Sequence, residues 1–234
     1  MYRALHMTLT AAAAAVLLAS GSPGMHPAPS PDSSKIVRFL ALGDSYTIGE
    51  SVAEDERWPV LLTDLLSDHG YPAEVSIVAQ TGWTTGELWS GMQNSRLSPP
   101  YDIVSLLIGV NNQYRGHDLD EYRKAFRFLL WKAIGYAGGD AGRVIVLSIP
   151  DWGMTPFGDG REPEKIATEI DRFNGVNREE SERAGVHYVD ITGESRADSP
   201  DLSFIAPDGL HPSGKMYAAW AELVLPVALK ALSR

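Results

Sequence analysis

Apolar residues gather in five short runs along the chain, at 36–42, 75–79, 103–108, 144–149 and 187–191, each rich in β-branched or aliphatic side chains and closed by turn residues. Runs this continuous suit strands covered on both faces. Between them the apolar positions recur every three or four residues. Val60, Leu61, Leu65 and Leu66 follow Pro59 and stop at Gly70, and Tyr122, Ala125, Phe126, Leu129, Leu130 and Ala133 follow a capping pair, Asp118 and Glu121. Ile166, Ile170 and Phe173 follow Pro163 and close near Gly185, while Pro212 opens a last helix through Ala218, Leu223 and Val227. Strands alternating with helices predict βαβ units, hence an α/β fold with a mainly parallel sheet between two helical layers.

The first 34 residues break this pattern. Arg3 precedes an apolar run from Met7 to Ala19, followed by small residues and a Pro/Ser stretch, which predicts a signal peptide over 1–22 and a disordered linker over 23–34. The run is too short to span a membrane, and Ser22 stands where lipid anchoring would need a cysteine. Export to a secreted or periplasmic location is the expectation, with one folded domain over 35–234.

Charge narrows the partners. Twenty basic residues against 30 acidic ones give a formal charge of −10, which argues against nucleic acid, whose binding rests on Lys and Arg at phosphates. There is no cysteine, and the six histidines show no metal-ligand spacing. Neither a metal nor a cofactor is expected.

The candidate chemistry begins where the first run enters Gly43-Asp44-Ser45. A serine at the carboxyl end of the first strand stands where α/β sheets place ligands, although a turn serine would look the same. Its hydroxyl needs a base and an orienting acid to become nucleophilic. Asp208 and His211, three apart between the last strand and the last helix, put a carboxylate and an imidazole on one side of a turn. Oxyanion donors could come from Gly82, ahead of a Thr84/Glu87 capping box, and from the Asn111 side chain after the third strand. Each alone reads as a turn glycine or an Asx-turn asparagine, but a parallel sheet gathers all of them on one rim.

In that order and at those intervals, Gly43-Asp44-Ser45, Gly82, Gly109-Val110-Asn111 and Asp208-x-x-His211 resemble the four blocks of the SGNH (GDSL-type) hydrolase family, over essentially the whole of 35–234. The resemblance implies a flavodoxin-like five-stranded sheet of order 2-1-3-4-5. It implies Ser45 as nucleophile, His211 as base and Asp208 as its orienter, with an oxyanion hole from the Ser45 and Gly82 amides and the Asn111 side chain. Tyr46 departs from the leucine of the signature, and Asn112 from an aspartate common in the third block.

The partner implied is a small-molecule, lipid or glycan ester. Trp83, Tyr114, Arg115 and Trp152 are candidate substrate contacts, and Trp152, Met154 and Phe157 candidate walls of an apolar pocket. An acyl ester or lysophospholipid is preferred over an acetylated polysaccharide. The rival reading is a flavodoxin-like binding module without hydrolase activity, in which Ser45, Thr47 and Gly49 cradle a phosphate. A P-loop-like stretch from Gly209 to Lys215 lacks the Ser or Thr that Met216 replaces, and is set aside.

Overall fold

A computed structural model describes Met1, residues 35–196 and residues 201–233. The leader and linker expected over 1–34 lie outside the described residues. Five parallel strands, β1 (Val37–Gly43), β2 (Ala73–Ala79), β3 (Ile103–Leu107), β4 (Val144–Leu147) and β5 (His187–Val189), form one sheet in the order β2-β1-β3-β4-β5. Register pairs Gly43 with both Ala79 and Leu107. The carboxyl ends of the three strands that carry the candidate chemistry therefore lie level.

Strands β3 and β4 are buried along their whole length, as their apolar runs imply. The edge strand β2 departs from that expectation: Glu74 and Ser76 are exposed while Val75 and Ile77 are only partly covered. With one neighbour and solvent at its side, an edge strand needs only an alternating pattern.

Helices α2 (Trp58–Asp68) and α8 (Gly214–Leu232) pack together as one layer. The other layer holds α3 (Thr85–Asn94), α5 (Leu119–Tyr136) and α6 (Pro163–Ala184). Predicted caps appear where expected: Asp118 accepts from the amides of Asp120 and Glu121, and Gly185 closes α6 at φ 69°. In α6, Glu180 is buried beneath Arg123 and Arg127 of α5 and Arg183 of its own helix, which fastens the two helices together. No described helix is long and apolar enough to cross a membrane.

Two helices turn a different face inward from the one their apolar positions predicted. In α2 the fully buried side chains are Trp58, Leu62 and Leu66, with Val60, Leu61 and Leu65 at the margin. In α8 they are Tyr217, Trp220, Ala221, Val224 and Ala228, whereas Leu223 is 39% exposed. Both sequences are apolar on more than one face, so period alone leaves the buried stripe open. The start of α8 also shifts. Pro212 bridges back to Ile205, and the Ala206 amide donates to the His211 carbonyl at 2.7 Å, so the helix begins at Gly214 with Ser213 as N-cap. His211 is thereby held in an extended segment just ahead of the helix.

Candidate active site

The site grows out of the carboxyl end of β1. A side chain at Gly43 would stand 2.6 Å from the Leu107 carbonyl oxygen, as well as striking the Thr47 hydroxyl, so glycine lets the chain fold straight into the short helix α1 (Ser45–Ile48). Asp44 caps that helix: its Oδ1 accepts from the Tyr46 amide at 3.1 Å. Ser45 is the first helical residue, 5% exposed, and lines a cavity of about 170 Å³.

Asp44 is fully buried, and burial drives its carboxyl from the ordinary 3.8 up to about 7, against backbone N–H bonds that favour the anion. A carboxyl raised in the fold contributes most below its unfolded value, and that contribution is lost as pH climbs towards about 7. The variant Asp44→Asn keeps an acceptor for the Tyr46 amide and removes the charge. Its Tm is expected to exceed that of the parent at about pH 8 and to match it near pH 4. Thermal unfolding followed by circular dichroism measures this, and a gain confined to the acid side would contradict it.

His211 lines the same cavity as Ser45 and is 8% exposed. Its Nδ1 meets Asp208 Oδ2 at 2.6 Å, while Asp208 Oδ1 accepts from the Leu210 and His211 amides at 2.9 Å each. A carboxylate at Nδ1 places the ring hydrogen there and leaves Nε2 as the basic nitrogen. Partial burial works to raise the Asp208 carboxyl, but hydrogen bonds from Ser51, His211 and the two amides outweigh it and hold the group well below the usual carboxylate range.

Behind the imidazole stands Tyr46, the departure from the family signature. Its buried ring meets His211 edge-on at 5.7 Å between centroids and Trp220 at 6.1 Å, so it backs the histidine against α8. The other departure, Asn112, joins two rim loops. Its Oδ1 accepts from the Thr85 amide at 3.1 Å, and its Nδ2 donates to Thr85 Oγ1 at 3.0 Å.

Gly82 and Asn111 both line the cavity. Gly82 sits at φ 82°, a left-handed conformation that suits glycine, and its predicted neighbour, the Thr84/Glu87 capping box, is formed. Asn111 lies in α4 (Val110–Tyr114), and its Nδ2 donates one hydrogen to the Trp83 carbonyl at 3.0 Å. That bond uses one of the two hydrogens of the amide.

The cavity wall is aromatic. Tyr114, Trp152 and Phe157 line it with ring centroids 5.5 to 6.3 Å apart, and Trp152 Nε1 donates to Gln113 Oε1 at 2.9 Å. Three sequence candidates lie away from it. The Trp83 ring covers Gly91, where a Cβ would run into it. The Arg115 guanidinium donates to the Gly82 carbonyl at 2.6 Å and to Glu87 at 3.2 Å, bracing the loop instead of facing the cavity. Met154 is 51% exposed and outside the lining. Thr47 is fully buried, which removes a group the phosphate-cradle reading required.

A parallel sheet of this order, with its polar groups collected on the carboxyl rim, defines a flavodoxin-like α/β fold with its candidate site on that rim. Comparison with known proteins gives the family. The model of the GDSL-like lipase/acylhydrolase family matches residues 41–219, a span that contains Ser45, Gly82, Asn111, Asp208 and His211, and the chain belongs to that family. It is therefore a carboxylic ester hydrolase. The chain is similar to an arylesterase of Vibrio mimicus, 25% identical over 195 residues that cover 83% of this chain and 90% of that protein. Its fold is similar to that of a lipase/acylhydrolase from Enterococcus faecalis, with a TM-score of 0.62 at 21% identity, covering 82% of this chain and 94% of the other. It is also similar to the fold of an acetyl xylan esterase variant from Geobacillus stearothermophilus, with a TM-score of 0.63 at 20% identity and coverage of 82% and 94%.

Proposed function

We propose that the protein cleaves esters of short acyl groups through an acyl-enzyme on Ser45. The observation that carries this reading is the Asp208–His211 contact at 2.6 Å, made by an imidazole that shares a small cavity with Ser45. Ser45 Oγ attacks the carbonyl carbon as His211 Nε2 takes its proton, and Asp208 stabilises the imidazolium that results. The oxyanion is met by the amides of Ser45 and Gly82 and by the remaining Asn111 Nδ2 hydrogen. As the tetrahedral intermediate collapses, His211 returns the proton to the departing alcohol. Water then attacks the acyl-enzyme by the same route and frees the acid.

Size supports the short acyl group. About 170 Å³ is small beside the roughly 300–1,000 Å³ of ordinary ligand pockets, and the Tyr114, Trp152 and Phe157 rings favour an apolar occupant. Among p-nitrophenyl esters, kcat/KM is expected to be highest for acetate or butyrate and to fall steeply by decanoate. A rise through decanoate would overturn the assignment. A second reading rests on Tyr114, 50% exposed at the rim, whose ring offers a face for a sugar and so favours an acetylated glycan on the alcohol side. Acetate release from acetylated xylan, measured beside the ester series, distinguishes the two.

A further inference from the structure

We propose that Ser51 is a positioning residue that holds Asp208 in register with His211, a role that rests on the reading of Ser45, His211 and Asp208 as the hydrolytic apparatus. Ser51 Oγ lies 2.6 Å from Asp208 Oδ2, the same oxygen that faces His211 Nδ1. A carboxylate only accepts, so the serine hydroxyl is the donor. With the Leu210 and His211 amides on Oδ1, both oxygens of Asp208 are fully engaged, and the carboxylate plane is fixed.

The backbone at Ser51 gives the independent observation. Ser51 has φ 66°, the one positive φ at a non-glycine position among the described residues. A serine there is strained where glycine would not be, and such strain persists where the surroundings over-determine the residue. The surroundings here are a short, hydrogen-bonded turn. The Ser45 carbonyl accepts from both the Gly49 and Glu50 amides at 3.1 Å, which ties the start of the Ser51 turn to the nucleophile itself. The preceding residue, Glu50, accepts from Thr81 Oγ1, beside Gly82. One turn therefore connects the nucleophile, the oxyanion loop and the acid, and Ser51 supplies the link to the acid. Its side chain is outside the cavity lining, so it acts through Asp208 and does not touch the substrate.

Replacing Ser51 with glycine separates strain from function, because loss of the Cβ relieves the φ while loss of the hydroxyl removes the bond to Asp208. For Ser51→Gly, kcat on p-nitrophenyl acetate is expected to fall by about ten-fold, the size of one lost hydrogen bond to a charged group. KM should stay within about two-fold, and Tm should be equal to or above that of the parent. In an Asp208→Asn background the same change should cause no further loss, since the group it positions is gone. If Ser51→Gly keeps the parent kcat, or if it lowers kcat equally in the Asp208→Asn background, the inference is overturned. A Ser45→Ala control keeps the failures apart. Full activity in that control removes the hydrolytic reading, whereas an inactive control beside a fully active Ser51→Gly removes the role of Ser51 alone.

Discussion

Replacing Ser45 with alanine is expected to lower ester hydrolysis by about 10⁴-fold or more while leaving the fold in place. The size of the loss follows from covalent catalysis: without Oγ no acyl-enzyme forms, and His211 has no proton to accept from a serine. The fold should survive because the Asp44 side chain caps α1 and the Ser45 side chain does not. Alanine also suits the first turn of a helix. Initial rates on p-nitrophenyl acetate with a far-ultraviolet circular dichroism spectrum check both halves. Turnover near the parent rate in a folded variant would mean that another group attacks the ester.

The second large effect concerns Asn111. Of the three proposed oxyanion donors it is the one whose donating group is a side chain, so it can be removed without touching the backbone. Asn111→Ala is expected to lower kcat by about 10²–10³-fold with little change in KM, since the donor meets charge that develops only in the transition state. The bond from Nδ2 to the Trp83 carbonyl is lost as well. Asn112 keeps the two loops joined through Thr85, so the loss should fall on chemistry and not on stability. Steady-state kinetics and a melting curve for the one variant decide this. A raised KM at unchanged kcat would place Asn111 in ground-state binding instead.

The strands were legible because short β-branched runs between turn residues admit few other arrangements, and the sheet order then followed from the family resemblance. The Asp208–His211 contact was legible for a local reason, since a separation of three on one turn brings the two side chains together whatever the rest of the fold does. Residues whose roles depend on where distant loops lie were less visible. Trp83 and Arg115 are adjacent in sequence to groups that line the cavity, yet the chain turns into α3 after Trp83, and Arg115 bends back over the Gly82 carbonyl. Tyr46 reads in the sequence only as a departure from a signature, and its part in backing His211 emerges once α8 brings Trp220 behind it. Nothing in the string Gly49-Glu50-Ser51 announces a bond to a residue 157 positions away. A buried carboxylate at Asp44 was hidden for the same reason, since a cap residue before a serine is ordinarily exposed to water.

At the centre of the proposed mechanism stands Ser45 as the nucleophile, with His211 as its activating base. Incubation with a fluorophosphonate followed by peptide mass spectrometry tests that directly, because the phosphonyl group stays on the oxygen that attacked it. A single adduct is expected on the peptide that carries Ser45, formed in step with loss of esterase activity and greatly slowed in a His211→Ala variant. An inhibited enzyme bearing its adduct on another residue, or an enzyme that remains unlabelled and inhibitor-resistant while it hydrolyses esters, would contradict it.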